Sequence, residues 1–249
     1  MKILLFIPIA LGIIFLVLYV AEKIKAYSMK ALYIKIAVSL CFIATALAGL
    51  CSLHEEITPV YGVIVIGGLV FGLLGDVVLD LKYIDLDREE FHTKSGFIFF
   101  GIGHVLFITA MFLEYGRFIH PAWLFLLISL VIGFAGGFFT AKQGPLFGND
   151  YGEYFGIVAG YCGILASAVV MAVLYAVIYA KGSGFACPQP GLNYMSVGLV
   201  CFLISDLILS RTYFGKDHHK PIDIITNYIF YYAAQFLIAL SVSCSQISG

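Results

Sequence analysis

Charged residues are scarce in this chain. Only 12% of its 249 residues are Asp, Glu, Lys or Arg, compared with roughly a quarter in soluble domains, whereas 61% are hydrophobic. A soluble fold could not bury so much apolar surface, and a formal net charge of −1 offers no electrostatic basis for binding nucleic acid. The composition therefore excludes an ordinary soluble domain and predicts a membrane protein without a nucleic-acid partner.

Cysteine motifs are also lacking. The six cysteines form no Cys-x-x-Cys pair and show no spacing with histidine that is typical of a zinc site. The Asp-His-His run at residues 217–219 adjoins Lys220, which favours a solvated loop over a metal site. We therefore expect neither a metal nor another cofactor.

What the chain has instead is a series of long apolar runs. Each is close to the roughly 20 residues needed to cross a bilayer, and none shows the polar alternation of barrel strands. No linker or repeat divides them. The sequence thus predicts an all-α fold, a polytopic transmembrane bundle of about eight helices in one integral membrane domain over residues 1–249. The predicted spans are Ile3–Val20, Ala31–Leu50, Val60–Leu79, Gly96–Leu113, Pro121–Ala141, Phe155–Ala180, Leu192–Leu209 and Ile222–Val242.

Positive charge is unevenly distributed between the two predicted faces. The odd-numbered loops and their flanks hold Lys23, Lys25, Lys30, Lys35, Lys82, Arg88, Lys94, Lys142, Arg211, Lys216 and Lys220, against Lys2, Arg117 and Lys181 on the other face. The positive-inside rule then places the odd loops in the cytoplasm and both termini outside. Cys51, Cys187 and Cys244 fall near the outer face, where a disulfide would be permitted, although unpaired apolar thiols are the favoured interpretation.

Several polar residues lie within the predicted spans, where an ionisable group is costly unless it faces a cavity or a partner. They are Lys35, Asp76, Asp80, His104, Asp206, Asn227, Tyr231 and Gln235. Because consecutive helices alternate in direction, all of them fall in the cytoplasmic half of the membrane. Asp76 and Asp80 are i,i+4 neighbours and share one helix face. The sequence therefore predicts a polar cavity that opens toward the cytoplasm.

Structural roles are the alternative for these residues. Lys35 and Asp80 lie near helix ends and could extend into the interface. Asp76 and Asp206 could form ion pairs between helices, and His104 could be an interhelical hydrogen-bonding residue. Aromatic residues near span ends suit the interfacial belt and receive no catalytic role: Tyr83, Phe91, Tyr115, Trp123, Tyr151 and Tyr213.

Four segments resemble motifs of one family. They are GDVVLD at residues 75–80, the stretch from Gly96-Phe97 to Gly103-His104, Ser205-Asp206, and YYAAQFLI at residues 231–238. Together they are similar to the YhhN-type family of eight-helix membrane proteins, which includes the eukaryotic lysoplasmalogenases. The resemblance runs from about Lys35 to the C-terminus. It implies hydrolysis of the vinyl ether bond of a lysoplasmalogen, or of a related lyso-ether lipid, to a fatty aldehyde and a glycerophospho-base. The implied partners are a lysophospholipid substrate and membrane lipids, with no known protein partner.

The polar residues are compatible with this reaction. Vinyl ether hydrolysis needs an acid that protonates carbon, and a second carboxylate can stabilise the resulting cation, a division of labour also found in glycosidases. Asp76 and Asp206 are the predicted pair, without an assignment of which is the acid, and His104 is a third catalytic candidate. The predicted substrate-binding residues are Lys35 for the phosphate, with Asp80, Asn227, Tyr231 and Gln235.

Two other classes of protein use similar residues. A proton-coupled transporter of small solutes or lipids would need buried Asp, His and Lys side chains, but carriers usually show inverted repeats and midplane sites, and no repeat is visible here. A non-catalytic membrane protein that binds lipid or a partner would tolerate the loss of Asp76 or Asp206. The enzyme is the favoured class.

Overall fold

Eight long α-helices form the chain in a computed structural model that describes residues 2–25, 28–52, 60–182, 189–215 and 221–244. The helices are α1 Lys2–Lys25, α2 Met29–Cys51, α3 Val60–Leu81, α4 Glu89–Glu114, α5 Ala122–Gln143, α6 Phe155–Gly182, α7 Pro190–Phe214 and α8 Pro221–Ser243. All eight are long and apolar enough to cross a membrane, and the described ranges contain no β-strand. The prediction of an eight-helix membrane bundle is confirmed.

The helices α4 and α7 are longer than their predicted spans. The helix α4 begins at Glu89, seven residues before the predicted Gly96, and α7 continues to Phe214. The added turn of α4 carries Glu89 and Glu90, whose negative charges interact favourably with the positive end of the helix dipole. Hydropathy alone does not detect such polar turns, because they extend beyond the apolar core of the membrane.

The bundle is built around α8. This helix contacts α1, α2, α3 and α7, while α4 and α6 close the remaining side through contacts with each other and with α3 and α7. In contrast, α5 packs mainly on α6, and α1 packs mainly on α2. The ends of α1, α3, α5 and α7 meet the beginnings of α2, α4, α6 and α8 at one end of the bundle, which we call the site end.

Glycines on α5 allow it to lie unusually close to α6. A Cβ added to Gly133 would lie 2.1 Å from Ser167 Oγ, and one added to Gly137 would lie 2.3 Å from the backbone nitrogen of Gly163. Any larger side chain at these positions would push the helices apart. The predicted use of small residues for close helix approach in the membrane is therefore found at this interface.

The distribution of residues is that of a membrane protein. Large apolar side chains face outward, as with Phe6 and Val17 on α1 or Phe139 on α5, each more than 60% exposed. Strongly polar side chains lie inside, and Lys35 and Asp80 are almost completely buried. The alternative in which these two residues extend into the interface is therefore wrong for this structure.

Candidate functional site

A small cavity lies between the helices near the site end, and we call it the inner cavity. The volume that the centre of a water molecule can occupy in it is about 60 Å³, which is room for several waters. Its wall is formed by six helices: α2, α3, α4, α6, α7 and α8. The residues that line it are Lys35, Asp76, Leu79, Phe97, Phe100, Val158, Tyr161, Cys162, Ser205, Asp206, Leu209, Ser210, Tyr213, Phe214, Asn227, Tyr228 and Tyr231.

Lys35 lies between two carboxylates of α3. Its Nζ is 3.1 Å from Asp76 Oδ1 and 3.1 Å from Asp80 Oδ2. Both acids reach the same ammonium because their i,i+4 spacing places them one helical turn apart on one face. The two carboxylates compensate the buried charge of Lys35, which would otherwise be expensive to remove from water.

Further residues hold the two carboxylates in place. Ser39 Oγ donates a hydrogen bond of 2.8 Å to Asp76 Oδ2. Tyr19 OH donates one of 3.1 Å to Asp80 Oδ2, and Lys23 Nζ lies 3.7 Å from Asp80 Oδ1. Asp80 thus interacts with two cations and does not line the inner cavity. Asp76 interacts with Lys35 and lines the cavity. Of the two carboxylates on α3, Asp76 is therefore the one that faces the cavity.

Asp206 has a different environment on the side formed by α6 and α7. Tyr161 OH donates a short hydrogen bond to Asp206 Oδ2. Among the described residues, no lysine, arginine or histidine nitrogen lies within 4 Å of this carboxyl group. The inner cavity therefore contains one carboxyl group that is paired with a cation and one that is not.

His104 lies beside the cavity without lining it. Its Nδ1 is 2.9 Å from the carbonyl oxygen of Phe100, so this nitrogen carries the proton, while the buried Nε2 has no hydrogen-bond partner among the described residues. The ring contacts Phe202 edge-on, with 4.6 Å between centroids, and lies 5.8 Å from the Tyr161 ring. The structure thus places His104 next to Tyr161 rather than next to either carboxyl group.

The predicted residues of α8 divide into two groups. Tyr231 and Asn227 line the inner cavity, and Asn227 Nδ2 donates to the carbonyl oxygen of Ser205 at 2.7 Å, next to Asp206. Gln235 lies one turn deeper and does not line the cavity. Its Nε2 donates to Tyr231 OH at 2.9 Å, which orients the tyrosine.

The cavity also contains residues to which the sequence assigned no role. Tyr161 is the clearest case, because it lies within the predicted sixth span, where no polar site residue was expected. Tyr213 was expected in the interfacial belt, yet it lines the inner cavity. Neither position is distinguishable by hydropathy or spacing, since tyrosines recur along α6 and at several span ends.

The described residues contain no group of three or more His, Cys, Asp or Glu side chains that could hold a metal ion. The run at 217–219 lies outside the described residues. Cys51 and Cys244 are free thiols in the structure, and Cys187 also lies outside the described residues.

Comparison with known proteins identifies the family. The model of the YhhN family matches residues 30–242, which include every polar residue of the inner cavity. No curated protein and no solved structure matches the chain. Since the match covers most of the sequence, the chain belongs to the YhhN family.

Proposed function

We propose that this protein is a membrane hydrolase that cleaves the vinyl ether bond of a lysoplasmalogen or a related lyso-ether lipid. Membership of the YhhN family, which includes lysoplasmalogenases, supports this class of reaction. The products are a fatty aldehyde and a glycerophospho-base. The proposal assigns distinct roles to Asp206 and Asp76.

The observation that carries the proposal is the unequal pairing of these two carboxyl groups. Both line one small cavity. Asp76 is 3.1 Å from the ammonium of Lys35, whereas Asp206 receives only the hydroxyl of Tyr161 among the described residues. A buried charge without a counter-ion is expensive, so the group without a cation is the better candidate for a neutral acid.

The reaction then proceeds by proton transfer to carbon. Asp206 donates its proton to the vinyl carbon that is not bonded to oxygen, and the neighbouring carbon becomes an oxocarbenium cation. Water adds to that cation and loses a proton to the Asp206 carboxylate, which restores the acid and leaves a hemiacetal. The hemiacetal then breaks its bond to the glycerol oxygen, which takes up the hydroxyl proton as the aldehyde forms.

Asp76 is the second participant. Its negative charge, kept in place by Lys35 and Ser39, stabilises the oxocarbenium cation across the cavity and accepts a hydrogen bond from the attacking water. A preorganised charge in a site with little water is an effective means of stabilising a transition state. Lys35 acts through Asp76 in this scheme, which makes it a positioning residue.

The size of the inner cavity limits what it can bind. About 60 Å³ for the centres of water-sized molecules suffices for the ether group and one water, but not for a phosphate head group as well. The apolar side chains of Leu79, Phe97 and Phe100 line the same space, and they suit the alkenyl carbons next to the ether. We therefore place the head group outside this cavity.

The geometry supports an enzyme better than a carrier. The residues that line the inner cavity lie in the half of each helix nearest the site end, with Phe100 and Tyr231 close to the helix middle. A carrier would be expected to place its polar site near the midplane, between repeats related by symmetry.

One experiment tests the proposal. Purified protein in detergent is incubated in heavy water with a lysoplasmalogen, and with the matched lysolipid whose ether is saturated. We expect aldehyde only from the vinyl ether, with one deuterium on the carbon next to the carbonyl group, because that atom comes from an exchangeable acid. Absence of aldehyde, or aldehyde without deuterium at this carbon, would reject the mechanism.

A further inference from the structure

A second, larger recess adjoins the inner cavity at the site end, and we call it the outer groove. The volume that the centre of a water molecule can occupy in it is about 520 Å³. Tyr213 and Phe214 line both spaces, so the two adjoin at these rings. The charged residues of the outer groove are Lys82, Glu89, Asp150 and Glu153.

Lys82 is a buried cation in the wall of this groove. It follows α3 directly and is only 6% exposed. Its Nζ lies 3.3 Å from the centroid of the Tyr213 ring and 5.1 Å from that of Tyr83. Among the described residues, no carboxylate oxygen lies within 4 Å of this nitrogen.

Within the described part of the chain, the environment of Lys82 offers no contacting anion. Burial lowers the pKa of Lys82 to about 8, and the negative charge of Glu89 only partly opposes this effect. The stacked Tyr213 ring supplies cation–π attraction, which is weaker than a direct ion pair. A bound phosphate would complete the site, because it provides the contacting negative charge that the described residues do not.

The rest of the groove carries the opposite charge. Glu89, Asp150 and Glu153 line it together with Lys82, so the lining formed by the described residues contains three acids and one base. Such a surface repels a ligand that is anionic overall and attracts the positive end of a dipolar one. The loop that carries Asp150 is fixed in place, because the backbone nitrogen of Asp150 donates to the carbonyl oxygen of Phe214 at 2.8 Å.

We propose that the outer groove binds the zwitterionic head group of the lysolipid, with the phosphate at Lys82 and the amine cation near Glu89, Asp150 and Glu153. The choice of a lysolipid rests on the proposed function. The inner cavity is too small for the head group, and the outer groove lies next to it. Lys35, which the sequence suggested for the phosphate, is already in contact with two carboxylates, so its charge is less available to an anion than that of Lys82.

Binding of lipids that cannot react tests the phosphate position. The probes are a saturated alkyl lysophosphocholine and the alkylglycerol that lacks the phosphate and the base, each measured by equilibrium dialysis in detergent. We expect Lys82→Met to weaken binding of the lysophosphocholine about tenfold or more, the scale of a lost hydrogen bond to a charged group, and to leave the alkylglycerol unchanged. Lys142→Met is the matched control, because Lys142 is exposed at the same end of the bundle and lies outside the groove.

A second variant tests the amine position and does not depend on Lys82. Wild-type protein should prefer lysophosphocholine to the anionic lysophosphoglycerol, and Glu89→Lys should reduce this preference about fivefold or more, as expected when one contributing charge is reversed. Asp87→Lys is the control, since Asp87 is an exposed acid two residues away that does not line the groove.

The outcomes separate this site from the proposed hydrolysis. Wild-type affinity for lysophosphocholine in Lys82→Met would overturn the phosphate position, and an unchanged preference in Glu89→Lys would overturn the amine position. Neither measurement uses a vinyl ether. If the wild-type protein binds the saturated lipid as described but releases no aldehyde, the hydrolysis fails and the head-group site is supported.

Discussion

Tyr161 on α6 donates a hydrogen bond to Asp206 on α7, and this contact distinguishes Asp206 from Asp76, whose partner is a lysine. The hydroxyl of Tyr161 holds one oxygen of the carboxyl group, which leaves the other oxygen to carry the transferred proton. The relationship makes Tyr161 a positioning residue for the proposed acid.

Replacing Tyr161 with phenylalanine should therefore impair the chemical step. We expect Tyr161→Phe to lower kcat by about 5–150-fold, corresponding to the loss of one hydrogen bond of about 1–3 kcal/mol, with KM changed by less than about twofold. The measurement is steady-state aldehyde release from lysoplasmalogen. Tyr175→Phe is the control on the same helix, since the buried hydroxyl of Tyr175 has no hydrogen-bond partner among the described residues. Equal kcat values for the two variants would contradict the role of Tyr161.

Lys35 is expected to matter for stability as well as for activity. Lys35→Met removes the ammonium that lies 3.1 Å from both Asp76 and Asp80, and breaking a buried ion pair in this way costs about 3–5 kcal/mol. The midpoint of thermal unfolding in detergent should fall clearly. The double variant Lys35→Met/Asp76→Asn should recover part of the loss, because Asp80 keeps Lys23 as a counter-ion, whereas Asp76 has no second cation within 4 Å among the described residues. A double variant no more stable than the single one would show that charge pairing is not the cause.

The ionisation of Lys82 predicts a specific pH dependence. Burial lowers the pKa of this lysine to about 8, so its positive charge, and with it the attraction for phosphate, is lost as the pH rises through about 8. Lys82→Arg keeps its charge, since arginine has a pKa above about 12. The groups that act on Lys82 are the rings of Tyr83 and Tyr213 and the charges of Glu89, Asp80 and Lys35.

The ratio of wild-type kcat/KM to that of Lys82→Arg isolates this ionisation. The pH dependence of kcat/KM reports groups that ionise in the free enzyme. Ionisation of the acid in the inner cavity changes kcat/KM of both proteins alike and therefore cancels in the ratio. We expect the ratio to fall between about pH 7 and about pH 9. A constant ratio over this interval would show that the charge of Lys82 does not contribute to substrate capture.

Much of the fold could be predicted from hydropathy alone. Eight apolar runs of bilayer length correspond to the eight helices, because lipid requires continuous hydrogen-bonded segments. The ends were less accurate: α4 begins at Glu89 instead of Gly96, since its first turns are polar and are fixed by packing and by the helix dipole.

The pairing of side chains was only partly predictable. Asp76 and Asp80 were expected to share a face from their spacing, and Lys35 indeed contacts both. The contact of Tyr161 with Asp206 depends on how α6 is rotated against α7, and the uniformly apolar sequence of α6 does not define that rotation. In the sequence, Lys82 counts only as one of the positive charges that orient the loops. Its burial against Tyr213 depends on the turn after α3, which no sequence pattern describes.

The most direct test of the account is the turnover of Asp206→Asn. Asparagine keeps the size of the side chain and cannot donate an acidic proton, so folding should survive while proton transfer to carbon is lost. We predict that kcat for aldehyde release from lysoplasmalogen falls by about 10²–10⁴-fold, the usual scale for a general acid, in protein whose thermal unfolding matches the wild type. A folded Asp206→Asn variant with kcat within about threefold of wild type would contradict the assignment of Asp206 as the acid.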